Sequence, residues 1–254
     1  MVEMMGIYDF HQIRFPDSPT FVAKCVTFAV DGNSTFTKQK LSKNMDVDLL
    51  LKEGENDKSI LDTLDNQQLI WDLKMNLDQV INENAQLNKR LDLEQLVPFI
   101  YHIQNAKRIF ITAAGRSGFA MRSAAMRLMH LGFTVYYVGE TTTPAIEEGD
   151  LLIAASGSGT TSTIVKAAQK AVLVSAKVVA LTTQPESELG KLASHIVFIP
   201  AAEKQDHSKK VSKQYSGSLF EQFLLLLNDA IFQSLWKLSG KPAEELWKKH
   251  SNLE

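Results

Sequence analysis

Residues 151–162 read Leu151-Leu-Ile-Ala-Ala-Ser-Gly-Ser-Gly-Thr-Thr-Ser162, and this stretch decides the fold. Five apolar residues run without interruption, a loop of glycines and hydroxyls follows, and a helical pattern then opens. A continuous apolar run is a strand covered on both faces, as in a parallel sheet. Working outward, four more such runs appear: Arg108-Ile-Phe-Ile-Thr112, Thr134-Val-Tyr-Tyr-Val138, Lys177-Val-Val-Ala-Leu181 and His195-Ile-Val-Phe-Ile199. Helical patterns lie between most of them, at 118–131, 161–175 and, more briefly, 187–193. Strand–helix alternation of this kind predicts a doubly wound α/β domain with a five-stranded parallel sheet flanked by helices. Two further helices, about 217–237 and 242–249, close the chain, with Gly240 and Pro242 marking the break between them.

Before the first strand, Ile70, Leu73, Leu77, Val80, Leu87 and Leu91 fall on a 3-4 spacing with Asn84 in the one polar position. That is an amphipathic helix, packed on its own domain or paired with a second copy of itself. A second helical stretch covers 92–104, and Pro98 inside it should kink it or reset its start. Residues 1–65 read differently. They suggest a hairpin near 20–37, around the turn signal Asp31-Gly32-Asn33, followed by a mostly polar stretch at 41–65.

Composition narrows the function. The 254 residues are 44% hydrophobic and 22% charged, which excludes a disordered or fibrous chain. Net charge is −2, with no pull toward nucleic acid or an anionic membrane. Residues 1–90 carry 10 basic and 14 acidic side chains, net −4; residues 91–254 carry 17 and 15, net +2. One cysteine, Cys25, excludes an internal disulfide and a cysteine-built zinc site, and suits a reducing compartment. The longest uninterrupted apolar runs, such as Phe223 to Leu227, are far short of the roughly 20 residues of a membrane span. The N-terminal MVEMMGIYDF lacks a secretory pattern, so a cytoplasmic protein is expected.

In an open parallel sheet the ligand sits beyond the C-terminal strand ends, which directs attention to 113–118, 139–149, 156–161 and 182–187. The loop Ser156-Gly-Ser-Gly-Thr-Thr161 suits an anion: glycines let the backbone approach, hydroxyls donate, and the following helix presents its N-terminal amides. No lysine follows the glycines, so it is not a Walker A loop, and it lacks the last glycine of the dinucleotide fingerprint. A phosphate on a small substrate fits better. Ala113-Ala-Gly-Arg-Ser-Gly118 is a second strand-to-helix loop, in which Arg116 can reach a phosphate or a sugar hydroxyl. Glu221 opens a very apolar helix, as a helix N-terminal charge or as a general base. His130 ends the 118–131 helix, and His250 lies four residues from the chain end. His11, His102, His195 and His207 show no partner spacing, and no metal is expected.

Together these stretches resemble a known family. GRSG at 115–118 and SGSGTT at 156–161, on strands of one parallel sheet, resemble the sugar isomerase (SIS) domain, a flavodoxin-like three-layer sandwich. Met126-Arg-Leu-Met-His-Leu-Gly-Phe133, Val138-Gly-Glu140, Thr143-Pro144, Gly149-Asp150, Gly217-Ser-Leu-Phe-Glu-Gln222 and the tail His250-Ser-Asn-Leu-Glu254 resemble, more narrowly, the 6-phospho-3-hexuloisomerases. The resemblance covers 66–254, a SIS domain, and leaves 1–65 as an N-terminal extension without a role. It implies a cofactor-independent isomerase of the ribulose monophosphate pathway of formaldehyde fixation, interconverting D-arabino-hex-3-ulose 6-phosphate and fructose 6-phosphate through an enediol(ate). It also implies site roles. Ser117, Ser156, Ser158 and Thr161 would bind phosphate, Glu221 would be the base, His130 and His250 would lie near the sugar, and Arg116 and Glu140 would line the site. In this family the C-terminal histidine serves a neighbouring subunit, so a homo-oligomer, dimer or tetramer, is implied. The alternative is a sugar-phosphate-sensing SIS regulator with a DNA-binding N-terminal helix-turn-helix. The net −4 of residues 1–90 and the lack of a basic recognition helix argue against it.

Overall fold

The computed structural model describes residues 66–206 and 210–253. The hairpin expected near 20–37, the extension 1–65 with His11 and Cys25, and His207 lie outside the described residues. The strands are β1 (Ile109–Ala113), β2 (Val135–Tyr137), β3 (Leu151–Ala155), β4 (Lys177–Thr182) and β5 (His195–Phe198). All pairings are parallel, and the order is β2-β1-β3-β4-β5. The helices are α1 (Asn66–Arg90), α2 (Leu96–Asn105), α3 (Gly115–Leu131), α4 (Ser162–Leu173), α5 (Glu188–Leu192), α6 (Ser218–Ser239) and α7 (Ala243–Trp247).

Side-chain alternation along the strands divides the core into two layers. Ile109, Ile111, Leu151, Ile153, Val179 and Leu181 face α2, α3 and α6. Phe110, Leu152, Ala154, Val178 and Ala180 face α4 and α5. Both faces of every central strand are therefore buried, which is why these strands read as continuous apolar runs. The chain runs from β1 toward β2 at one edge and from β3 toward β4 at the other. The sense of winding thus reverses between β1 and β3, where such sheets open a crevice at their C-terminal edge. Arg108 holds the opposite edge: its Nε donates to Asp150 Oδ1 at 3.0 Å and its Nη2 to Asp150 Oδ2 at 2.5 Å. Gly149-Asp150 is thus a brace between β1 and β3, at the end away from the crevice.

Helix boundaries follow local chemistry. Pro98 sits in the first turn of α2, where a missing N–H costs nothing, so it resets the start to Leu96 and makes no kink. Gly240, at φ +63°, ends α6, and Pro242 precedes α7. The apolar stripe of helix α1 divides along its length. Leu87 and Leu91 are buried in the same core as α6, and Asn84 Nδ2 donates to Gln222 Oε1 of α6 at 2.8 Å. The C-terminal half therefore packs on its own domain. Ile70, Leu73 and Leu77 remain about 60% exposed, because 25 residues at about 1.5 Å each outrun the domain body. Among the described residues no helix is long and apolar enough to cross a membrane.

Candidate active site

Three helices begin at the crevice: α3 after β1, α4 after β3, and α6 after the segment leaving β5. None of the three has a side-chain N-cap hydrogen bond. By contrast, Ser187 caps α5 by accepting from Gly190 N at 3.2 Å. Uncapped first-turn amides are orphan donors at the positive ends of helix dipoles. Their convergence on one cleft is a site for an anion. The cleft encloses about 460 Å³ and is lined by Arg116 and Ser117 of α3, Ser156, Ser158 and Thr161 of the β3–α4 loop, and Glu221 of α6. Six of the nine residues singled out in the sequence thus meet in one place.

The β3–α4 loop is held in shape before any ligand arrives. Thr182 Oγ1 and Thr183 Oγ1 both donate to the Gly157 carbonyl, at 3.0 and 2.8 Å. Ser156 Oγ accepts from Gly159 N at 3.1 Å and lies 3.0 Å from Thr161 Oγ1. Thr161 stands at the N-cap of α4 but turns its hydroxyl to Ser156, leaving the α4 amides open. Gly159 has φ +62°, and a Cβ there would lie 1.9 Å from Ser187 Oγ, so position 159 admits only glycine without displacement.

On the facing wall, Arg116 Nη1 lies 3.0 Å from Glu221 Oε2 and donates to Ser218 Oγ at 3.1 Å. The Glu221 carboxylate is one-fifth exposed, whereas the Arg116 side chain is 59% exposed. The carboxylate is therefore largely walled in and the guanidinium reaches across the cleft mouth. Phe220 packs against the phosphate-type loop, its Cδ1 3.4 Å from the Cβ position of Gly157. The first turn of α6 therefore abuts the loop that would hold an anion.

Three expected residues lie elsewhere in the chain. Glu140 pairs with Arg122, whose guanidinium lies 3.7 Å over the Tyr137 ring. The cause is topological: Glu140 follows edge strand β2, one strand removed from the β1–β3 reversal. Burial, the largest influence, pushes the Tyr137 phenol above its ordinary pKa, and the neutral hydroxyl donates to Ala113 O at 2.7 Å. His130 occupies the last turn of α3, while Arg116 occupies the first; fourteen residues of helix separate them by on the order of 20 Å. His250 joins His130 there, ring centroids 4.2 Å apart, beside Arg127, Trp236 and Leu246. Lys241 Nζ donates to Leu131 O at 2.7 Å and fixes the α6–α7 turn against the same helix end. Burial first, then His250 and Arg127, hold the His130 pKa below that of an ordinary histidine. His102 and His195, which showed no partner spacing in sequence, stack at 6.0 Å between α2 and β5.

Sequence reasoning missed Lys204, Tyr215 and the Gly217 backbone, which also line the cleft. They belong to the irregular segment between β5 and α6, where no periodicity marks a side chain as facing the site. The only local signal was the neighbouring Gly217-Ser-Leu-Phe-Glu-Gln222 stretch.

A parallel sheet with a hydroxyl-rich anion cradle at its point of reversal, facing a carboxylate, defines the SIS class. The SIS domain model matches residues 102–224. The chain is 51% identical over 183 residues to the 3-hexulose-6-phosphate isomerase of Mycobacterium gastri, covering 72% of this chain and 92% of that one. It is 41% identical over 177 residues to the enzyme of the same name from Bacillus subtilis, covering 69% and 96%. A solved Methanococcus jannaschii structure, from which a 3-hexulose-6-phosphate isomerase function was inferred, superposes with a TM-score of 0.62 at 34% identity. That match covers 71% of this chain and 99% of that one. The chain belongs to the SIS family, in the branch of the 3-hexulose-6-phosphate isomerases, which are the 6-phospho-3-hexuloisomerases of the sequence resemblance.

Proposed function

We propose that this protein is a 3-hexulose-6-phosphate isomerase, interconverting D-arabino-hex-3-ulose 6-phosphate and fructose 6-phosphate in the cleft between β1 and β3. The observation that carries the reading is the Arg116–Glu221 pair facing a cleft into which three uncapped helices open. The 6-phosphate sits on the amides of α3 and α4 and the hydroxyls of Ser117, Ser156, Ser158 and Thr161. That anchor sets the register of the sugar, which is the largest help a small flexible substrate receives. Glu221 removes the proton from C2, and the electrons move onto the C3 oxygen to give a cis-enediolate. A proton then passes from the C2 oxygen to the C3 oxygen, and protonation at C3 leaves the ketone on C2. Nothing is oxidised or reduced overall, so no cofactor is required. Arg116 orients the carboxylate and offsets the negative charge that develops on the two oxygens.

The site acts within a homo-oligomer. His130 and His250 are packed on each other far from their own chain's cleft, and the exposed His250, backed by the buried His130, serves a neighbouring copy's cleft as a proton carrier between the two oxygens. Residues 66–254 constitute the catalytic domain. Replacement Glu221→Gln keeps the size and loses the base, and turnover falls by about 10²- to 10⁴-fold with KM nearly unchanged. The assay forms the hexulose phosphate from formaldehyde and ribulose 5-phosphate with a synthase and reads fructose 6-phosphate. Near-normal turnover by this variant would remove Glu221 from the mechanism. An inactive wild-type protein would remove the isomerase reading itself.

A further inference from the structure

Helix α1 contributes no residue to the cleft, yet one of its side chains holds a wall of it. Glu83 accepts three hydrogen bonds from consecutive residues of the segment between β5 and α6. Ser212 Oγ donates to its Oε2 at 2.6 Å, Lys213 N to its Oε1 at 3.0 Å, and Gln214 Nε2 to its Oε2 at 3.0 Å. The next residue is Tyr215, which lines the cleft with Ser216 and Gly217. A second chain of contacts runs beside the first. Gln214 Oε1 accepts from Gln222 Nε2 at 2.8 Å, and Gln222 Oε1 accepts from Asn84 Nδ2 at 2.8 Å. Gln222 is the neighbour of Glu221, and Asn84 is the neighbour of Glu83. The strap 212–217, the base-bearing turn of α6 and the middle of α1 are thus one hydrogen-bonded unit.

The strap has little else to hold it. It has no strand pairing, and Tyr215 is 88% exposed. The turn it feeds begins at Gly217, φ +83°, whose Cβ position lies 3.6 Å from Glu221 Oε1 and 3.8 Å from Lys204 Cγ. The strap therefore ends between Lys204 and Glu221. The phosphate-type loop has its own brace, Thr182 of β4 and Thr183 of the following turn, and meets the α6 turn through the Phe220 ring.

We propose that Glu83 is a positioning residue of the site, holding the 212–217 strap so that the sugar end of the ligand is gripped while the phosphate end is left to the β3–α4 loop. The role rests on the sugar-phosphate reading above. It demands a carboxylate. Three donors converge on two oxygens, and an amide in that place turns an NH₂ toward at least one of them. Burial alone would raise the Glu83 pKa, but the bonds from Ser212, Lys213, Gln214 and Gln79 together hold it below the ordinary glutamate value, as for a group used in its charged form.

The test uses the full chain with Glu83→Gln and Glu83→Ala, and two ligands, fructose 6-phosphate and inorganic phosphate, each titrated by calorimetry. The expected result is about tenfold weaker binding of fructose 6-phosphate, less in the Gln than in the Ala variant, with inorganic phosphate binding unchanged. Hydrogen exchange of the peptide spanning 212–217 rises in both variants, and exchange in 155–162 does not. Equal loss of both ligands, or unchanged exchange in the strap, would overturn the assignment. So would faster exchange with unchanged binding of the sugar phosphate. A wild-type protein that binds fructose 6-phosphate without turning it over defeats the isomerase reading and leaves Glu83 to be judged by the two binding constants.

Discussion

Gly159 offers the sharpest test of how the anion loop is built. Its φ of +62° costs any residue with a Cβ about 1–2 kcal/mol. A Cβ there would also lie 1.9 Å from Ser187 Oγ and 2.4 Å from Ser187 Cβ. The hydroxyl can rotate away, at the loss of the α5 cap, worth about 1 kcal/mol. The Ser187 Cβ cannot rotate away, since it is fixed to the backbone, so the two chains must part, adding overpacking strain of about 1–3 kcal/mol. Gly159→Ala should therefore cost about 3–6 kcal/mol, which for a domain of this size lowers Tm by on the order of 10 °C. Ser187→Gly removes both clashing atoms and by itself costs a few tenths of a kcal/mol, because glycine is tolerated at an N-cap. In that background Gly159→Ala should retain only its conformational cost of about 1–2 kcal/mol. Urea unfolding of the four proteins, followed by circular dichroism, closes the cycle. Coupling of about 2–4 kcal/mol is expected. Because Gly159 N donates to Ser156 Oγ and Gly159 O accepts from Leu189 N, inorganic phosphate binding should weaken in the single variant and partly return in the double. Additivity within about 0.5 kcal/mol would refute the close-approach argument.

The remaining predictions concern the far end of α3. Because the folded-state pKa of His130 is depressed, the unfolded chain binds this proton more readily, and stability falls as pH drops below about 6.5 toward the folded value. His130→Phe should flatten the dependence of Tm on pH between about 7 and 5; an unchanged slope would assign the effect to other groups. Deleting residues 249–254 should abolish most activity with a small loss of Tm. Mixing that variant with Glu221→Gln, with subunit exchange, should restore part of the activity, since some sites would then pair an intact Glu221 with an intact histidine pair. No recovery after demonstrated exchange would leave His250 without a role in a neighbouring site.

Much of this was legible in one dimension. The strands declared themselves because burial on both faces leaves no polar position, and burial of Leu151–Ala155 is complete. The loop 156–161 stood out because its glycines and hydroxyls lie after a strand and before a helix, and the structure puts it on the cleft. Glu221 was ambiguous between a helix-end charge and a base for a physical reason: both roles place a carboxylate in a first turn. What distinguishes its surroundings is Arg116, 105 positions earlier in the chain, and only folding brings the two within 3.0 Å. Glu140 shows the opposite limit, since it pairs with Arg122 and does not line its own chain's cleft. It follows a strand like the others, but β2 lies at the edge, and edge position is a property of strand order.

The amino-acid sequence by itself determined the elements, the two-sided burial of the sheet, and which loops stand at strand ends, because these depend on residues near one another in the chain. Only the tertiary structure decided that β1 and β3 are neighbours, and therefore that GRSG and SGSGTT share a cleft. It alone placed Lys204 and Tyr215 in that cleft, sent His130 and His250 to the other end of α3, and tied Glu83 to the strap. Those contacts join positions that no local period relates, so only the packing of the sheet and its helices fixes them.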